Sequence, residues 1–193
     1  MCNERFASSR LNPLQLSYGR VFSLPYDNIR NMSKNQENQG NILILHNIRS
    51  VENVGAIFRT ADAAGINKIY LVGYTPAPLD RFGRKRKDLA KSALGAEEFV
   101  KWEQKKNILP LLTKLKQEKY YIIAIEQDKN SVDYKKVKIG EKNVFVVGAE
   151  VEGLPQNILK KCDIIAEIPM KGKKESLNVS VATGIALFQM LKI

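Results

Sequence analysis

The stretch Ile42-Leu43-Ile44-Leu45 is a short, continuous apolar run. Such a run is typical of a parallel strand that is buried on both faces. The following segment, 54–64, has the pattern of a helix that Gly65 ends. A second apolar run, 68–73, then indicates another strand. Strand, helix and strand in this order form the unit from which parallel α/β sheets are built.

The same alternation continues to the end of the chain. We predict a long loop over 74–86, further strands over 120–125, 143–147 and 164–168, and helices over 109–118, 156–161 with Pro155 in the first turn, and from Ser176 onward. This pattern predicts an α/β domain over residues 41–193, with a mostly parallel sheet and helices on both faces. Residues 1–40 are polar and lack a sustained period, so we expect a partly flexible N-terminal extension and linker.

Length, charge and composition limit the classes of protein to which this chain can belong. A chain of 193 residues can bury one full core, and a net charge of +11 favours a polyanionic partner such as nucleic acid. The two cysteines lie far apart, and the N-terminus has no apolar signal segment. No apolar run reaches the roughly 18 residues of a membrane span. We therefore expect a cytoplasmic protein without a membrane segment. With one histidine in the chain, we also expect no metal site.

Three polar segments follow predicted strands, where ligands of open α/β sheets bind. In 53–59, Asn53 is predicted to cap a helix, while Arg59 is either a surface residue or a fork for phosphate. In 148–153, Glu150 and Glu152 fit either acid–base chemistry or a helix N-terminus. The third segment, 168–178, fits a solvated basic loop and a helix cap, or the wall of a ligand site.

A basic run in the predicted loop is the best candidate for contact with RNA. It combines cations, which bind phosphates, with nearby aromatic rings, which stack on bases. The candidate residues are Arg81, Arg84, Lys85, Arg86 and Lys87, with Phe82 and Tyr74 close by.

Taken together and in order, the three segments resemble the SpoU (TrmH-like) family of RNA ribose 2′-O-methyltransferases, within the SPOUT superfamily. The resemblance covers about residues 41–193. It is carried by Asn47-Ile48-Arg49-Ser50-Val51-Glu52-Asn53-Val54-Gly55-Ala56-Ile57-Phe58-Arg59-Thr60-Ala61-Asp62, by Val147-Gly148-Ala149-Glu150-Val151-Glu152-Gly153-Leu154, and by Ser176-Leu177-Asn178-Val179-Ser180-Val181-Ala182.

The resemblance implies a C-terminal deep trefoil knot that holds S-adenosylmethionine (SAM), and a homodimer with the site near its interface. It implies transfer of a methyl group to a ribose 2′-hydroxyl of tRNA or rRNA. Backbone at Gly148, Ile168 and Leu177 would hold SAM. Arg59 would serve catalysis, as a base or as an electrostatic stabiliser, and Asn53, Glu150, Ser176 and Asn178 would complete the catalytic group.

Two other functions compete with this hypothesis. A catalytically silent RNA-binding or ribosome-assembly module on the same fold would bind RNA without methyl transfer. A carboxylate hydrolase would use Glu150 and Glu152 as its acids.

Overall fold

A computed structural model of the chain describes residues 40–193, so the predicted extension lies outside the described residues except for Gly40. Within this range the chain forms seven strands and six α-helices. The strands are β1 (Ile42–His46), β2 (Lys68–Val72), β3 (Lys101–Lys105), β4 (Tyr121–Ile125), β5 (Val132–Asp133), β6 (Asn143–Val147) and β7 (Ile164–Glu167). The helices are α1 (Val51–Ala63), α2 (Lys87–Ala93), α3 (Ala96–Phe99), α4 (Ile108–Gln117), α5 (Gln156–Leu159) and α6 (Val179–Leu191), with a 3-10 turn at Tyr134–Lys136.

The strands form one sheet in the order β3-β2-β1-β6-β4-β7-β5, and every neighbouring pair is parallel. Strand β1 lies near the centre, where Leu43 is in register with Ile69 of β2 and with Phe145 of β6. All of these side chains are fully buried. The prediction of a parallel sheet is confirmed. The carboxyl ends of its strands lie at the same edge of the sheet.

Helices cover both faces of the sheet, as predicted. Leu43 and Leu45 of β1 pack with the buried side chains of α1, α2 and α6. Ile42 and Ile44 point to the other face and pack with α4 and α5. Successive side chains of a strand point to opposite faces, so a continuous apolar run supplies two cores at once.

Strand β6 lies between β1 and β4, although β4 precedes it in the chain. The chain therefore returns to the middle of the sheet at β6. Strand β7 and helix α6 follow β6 in the sequence. The trefoil knot itself stays a prediction. Among residues 40–193, none of the helices has the length and apolar character needed to cross a bilayer.

Two helix starts differ from the prediction. Helix α1 begins at Val51 with Ser50 as its N-cap, because the Ser50 hydroxyl accepts the Asn53 backbone N–H at 3.1 Å. The prediction that Asn53 caps this helix is therefore wrong, and its side chain is free for another contact. Helix α6 begins at Val179 and not at Ser176, since Asn178 is its N-cap.

The sequence pattern misses strand β3 and helix α2. Strand β3 reads Lys-Trp-Glu-Gln-Lys and lies at the edge of the sheet, where its side chains are exposed or half-buried. An edge strand does not need an apolar run, and its lysines discourage pairing with another sheet. Helix α2 is short and charged, and it buries only Leu89 and Ala93.

Candidate functional site

A cleft of about 520 Å³ opens at the sheet edge where the parallel strands end. Its walls come from the segments that follow β4, β6 and β7, and from the chain that leads into α6. Ligand pockets typically have about 300–1,000 Å³. The lining residues are Ile125, Glu126, Gln127, Val147, Gly148, Ala149, Glu150, Val151, Gly153, Ile168, Met170, Ser176, Leu177, Asn178, Val179 and Ala182. Six predicted site residues thus line one cleft: Gly148, Glu150, Ile168, Ser176, Leu177 and Asn178.

The loop after β6, which lines this cleft, folds back on itself. The Gly153 N–H donates to the Ala149 carbonyl at 2.9 Å, and Gly153 has a φ of 63° in the left-handed region. A Cβ on Gly148 would lie 2.5 Å from the Gly153 carbonyl carbon and 2.7 Å from the Leu154 nitrogen. Backbone, and not a flexible side chain, therefore excludes any side chain at Gly148.

We expect Gly148→Ala to weaken cofactor binding at this cleft. The added methyl group must push the returning strand of the loop aside, and overpacking of this kind costs about 1–3 kcal/mol. Titration calorimetry with the cofactor should show a loss of affinity of about 5- to 150-fold. The matched control is Gly172→Ala, since a Cβ at Gly172 meets nothing within 4 Å. Equal affinity in both variants would show that the closed loop is not needed for binding.

Glu150 connects the β6 loop to the segment before α1. Its carboxylate accepts the Arg49 backbone N–H at 3.0 Å, the Ser50 backbone N–H at 3.1 Å and the Asn53 side-chain amide at 3.0 Å. Partial burial raises the pKa of Glu150, but the hydrogen bonds from the Arg49 backbone and the Asn53 amide outweigh it and hold the pKa below its usual value.

The carboxylates of this loop do not form a pair of catalytic acids. A general acid needs a raised pKa, whereas Glu150 has a lowered one. Glu152 points elsewhere and forms an exposed ion pair with the Arg49 guanidinium at 2.7 Å. This geometry removes the basis for the hydrolase hypothesis.

Asn53 joins Glu150 to Asn178, and so connects all three polar segments. The Asn178 side-chain NH₂ donates to the Asn53 Oδ1 at 3.1 Å. The orientation of both amides follows from Glu150, because a carboxylate only accepts. Asn53 must turn its NH₂ to Glu150 and its oxygen to Asn178. The structure thus brings together residues that lie 97 and 125 positions apart in the chain.

Asn178 has a second task at the start of α6. Its Oδ1 accepts the Ser180 backbone N–H at 2.9 Å and the Ser180 hydroxyl at 2.6 Å. The same side chain therefore caps the helix and holds Asn53. Ser176 and Leu177 precede it in an exposed stretch of the cleft wall.

Two residues of the cleft escaped the sequence analysis. Glu126 follows β4 and accepts the Leu154 backbone N–H at 2.8 Å, which ties down the end of the β6 loop. The adjacent Gln127 donates its side-chain amide to the Glu175 carbonyl at 2.8 Å, which holds the loop before α6. The signal that could have found them is their place directly after a buried strand, at the edge where ligands bind.

Arg59 does not line the cleft of its own chain. It lies on the solvent-exposed face of α1, with Glu52 and Ala63 on the same side. The structure places the other four members of the predicted catalytic group at or beside the cleft, and it places Arg59 outside.

The basic run over residues 81–87 has fewer unpaired cations than its sequence indicates. Three of its five predicted RNA-binding cations pair with carboxylates: Arg84 with Asp80 at 2.8 Å, Lys85 with Glu98 at 2.6 Å, and Arg86 with Asp88 at 2.7 Å. Within residues 40–193, Arg81 and Lys87 have no such partner.

The outer face of α6 is apolar and exposed. Val181, Ile185 and Phe188 occupy positions i, i+4 and i+7, which share one side of a helix, and each is more than a third exposed. A helix that packs against the core on one side needs no such stripe on the other.

A family model described as the SpoU rRNA Methylase family matches residues 40–188. Among curated proteins, the chain is 32% identical over 151 residues to the 23S rRNA (guanosine-2'-O-)-methyltransferase RlmB of Pseudomonas aeruginosa. That match covers 78% of this chain and 58% of the relative. The chain spans about three-fifths of the length of the curated relatives it matches.

Solved structures show the same fold. A TrmH/SpoU tRNA modifying enzyme of A. aeolicus is 32% identical, with a TM-score of 0.69 over 79% of this chain and 74% of that one. An AdoMet-bound rRNA methyltransferase of Sinorhizobium meliloti is 28% identical, with a TM-score of 0.71 over 79% of this chain and 56% of that one.

Proposed function

The chain belongs to the SpoU rRNA Methylase family, and we propose from this that it transfers a methyl group from SAM to a ribose 2′-hydroxyl of tRNA or rRNA. One observation carries the proposal. The hydrogen-bonded chain Glu150–Asn53–Asn178 joins all three motif segments at the cleft. We also propose a cytoplasmic location, since tRNA and rRNA are the substrates named.

The cleft residues fit SAM. Gly148 leaves no room for a Cβ because the backbone of Gly153 and Leu154 packs against it, and this tight loop would shape the cleft around the cofactor. Ile168 and Leu177 line the same cleft and would supply apolar surface for an adenine ring. The carboxylates of Glu126 and Glu150 hold the loops around the cleft, because they accept backbone N–H groups of Leu154, Arg49 and Ser50.

When bound, SAM would supply a methyl group on a positively charged sulfur; the ribose oxygen would take this methyl group in line, the C–S bond would break, and the sulfur would leave as a neutral thioether while the hydroxyl gives up its proton. The residues of this chain then have to position the ribose and exclude water. Glu150 and Asn53 hold the segment before α1 against the cleft, and Asn178 holds the start of α6. Ser176 is exposed in the cleft, and we expect its hydroxyl to hydrogen-bond the incoming ribose.

The apolar face of α6 is proposed as the interface of a homodimer. Three large apolar side chains at one face are most simply covered by the same face of a second copy, since a twofold interface is self-complementary. Arg59 lies on α1, and α1 packs beside α6. In the dimer we propose that Arg59 serves the cleft of the partner, where its guanidinium would bind a phosphate or stabilise the developing alkoxide.

We expect Phe188→Lys to make the protein monomeric and to abolish most methyl transfer, because a buried charge without a partner opposes association and Arg59 would lose its target. Light scattering after size exclusion gives the mass, and calorimetry should show SAM binding retained. Leu94→Lys, at another exposed apolar residue, should leave the dimer intact. A variant that stays dimeric would contradict the interface, and a fully active monomer would contradict the role of Arg59 in the partner's cleft.

Calorimetric titration with SAM tests the proposal against its competitor. We expect one cofactor per chain, with weaker affinity in Gly148→Ala. A silent RNA-binding module would give no heat with SAM while still binding RNA. That pair of results would contradict the methyltransferase proposal and support the silent module.

A further inference from the structure

Segment 79–85 is an ordered hairpin that presents Phe82 at its tip. Leu79 pairs with Lys85 in an antiparallel bridge, and the Asp80 N–H donates to the Arg84 carbonyl at 2.9 Å. The Asp80 carboxylate accepts the Phe82 and Arg84 backbone N–H groups at 2.8 and 3.0 Å. Each end of the turn is thus fixed by hydrogen bonds, so the position of Phe82 is set by the backbone.

Two exposed aromatic rings in this region lie beside arginines. Phe82 is 65% exposed, with the guanidinium carbons of Arg81 and Arg84 at 4.7 and 5.0 Å from its ring centre. Tyr74 is 52% exposed, with the Arg49 guanidinium carbon at 5.9 Å. Unpaired bases stack on aromatic side chains and on guanidinium planes. These four side chains are named here the stacking platform: Tyr74, Phe82, Arg81 and Arg84.

Positive charge alone does not distinguish this surface as a binding site for RNA. Arg84 pairs with Asp80, and both Lys85 and Arg86 pair with other carboxylates. Exposed ion pairs contribute about 0–1 kcal/mol, so these cations can leave their carboxylates and bind phosphate instead. The local excess of positive over negative charge is nevertheless small. A surface that binds polyanions by charge only would not keep three carboxylates among its cations. The exposed rings therefore distinguish it more than its charge does.

The platform is continuous with the candidate site. A second cavity, of about 570 Å³, is lined by Tyr74, Phe82 and the arginines of the loop. Arg49 connects it to the first cleft, because its backbone N–H donates to Glu150 and its side chain contacts Tyr74. Tyr74 follows β2 closely and Gly148 follows β6, with only β1 between these strands. At about 4.7–4.9 Å per strand, their ends are about 10 Å apart.

We propose that the stacking platform binds one or two unpaired bases of the substrate RNA, next to the nucleotide whose ribose is methylated. The inference rests on the proposed function, which it deepens. Bases inside a duplex have both faces covered by their neighbours and are not available for stacking. The target nucleotide is therefore in a single-stranded loop, a bulge or an end of the RNA.

The test compares the affinity for a short single-stranded RNA with that for the same RNA annealed to its complement. Phe82→Ala and Tyr74→Ala should each weaken binding of the single strand by about 5- to 150-fold. The slope of log Kd against log salt should stay unchanged, because no phosphate contact is removed. Binding of the duplex should not change, and Phe82→Trp should keep wild-type affinity.

The matched control is Phe99→Ala. Phe99 is 75% exposed but precedes β3, at the opposite end of that strand from the platform. Wild-type affinity for the single strand in both platform variants would overturn the proposal, whatever else the surface binds, a protein partner included. An equal loss in Phe99→Ala would overturn it as well.

Methyl transfer to RNA, measured separately, distinguishes failure of the platform proposal from failure of the proposed function. If the platform variants lose affinity for single-stranded RNA but wild-type protein transfers no methyl group to RNA, the platform is supported and the methyltransferase is not. If wild-type protein methylates RNA and the platform variants do so with unchanged KM and kcat, only the platform fails.

Discussion

Glu150→Ala is expected to lower the rate of methyl transfer by about 100- to 10,000-fold. The substitution removes three hydrogen bonds at once and leaves the N–H groups of Arg49 and Ser50 without an acceptor. Hydrogen bonds to a charged group contribute about 1.5–3 kcal/mol each. Asn53 also loses the partner that fixes its amide, so the contact with Asn178 is loosened.

Two further variants make this prediction specific. Glu150→Gln keeps one oxygen for Ser50 and Asn53 but turns an NH₂ group towards the Arg49 N–H, so its rate should lie between wild type and Glu150→Ala. Glu152→Ala removes a nearby carboxylate that forms one exposed ion pair, and its rate should stay within about threefold of wild type. Single-turnover rates with saturating SAM measure all three. A Glu150→Ala rate equal to that of Glu152→Ala would show that the hydrogen-bonded chain is not needed.

Asn178→Asp is expected to keep the stability of the protein and to lose about 10- to 100-fold in transfer rate. Aspartate caps a helix as well as asparagine does, and its charge is favourable at a helix N-terminus. Its second oxygen, however, would face the Asn53 Oδ1, which is also an acceptor. Turning the Asn53 amide over would not help, because its oxygen would then face Glu150.

Asn178→Ala separates the two tasks of this residue. It loses both the cap and the contact with Asn53, so unfolding should become easier by about 0.5–2 kcal/mol. A domain of this size should then melt about 2–4 °C lower for each kcal/mol. Thermal unfolding and single-turnover rates give the two quantities. An Asn178→Asp protein with wild-type melting and wild-type rate would show that Asn178 acts only as a cap.

The sequence predicts the sheet well where strands are buried on both faces. Leu43 and Phe145 belong to continuous apolar runs, and the strands that contain them were found with ends correct to within one residue. Strand β3 could not be found in this way, because an exposed edge strand has no apolar pattern to read. The order of strands, with β6 between β1 and β4, depends on long-range packing and not on local pattern.

The sequence predicts the site from three motif segments. Parts of two of them, around Gly148 and Asn178, line one cleft, and Glu150 and Asn178 hold Asn53 of the third segment beside it. The prediction that Asn53 caps α1 is wrong because Ser50, three residues earlier, accepts the Asn53 N–H and caps the helix. Glu126 and Gln127 were missed because they act through backbone groups of distant loops, and such contacts leave no local spacing to recognise. Arg59 is exposed on α1 and is not among the residues that line the cleft, which the motif spacing alone does not predict.

Transfer of a labelled methyl group tests the central claim most directly. The protein is incubated with SAM tritiated in its methyl group and with total tRNA or rRNA in separate reactions, and the RNA is then hydrolysed in alkali. A 2′-O-methyl group blocks cleavage at its own nucleotide, so the account predicts label in an alkali-resistant dinucleotide from one of the two RNAs, and loss of that label in Glu150→Ala. Label on a base, or no label in RNA from protein that binds SAM, would contradict it.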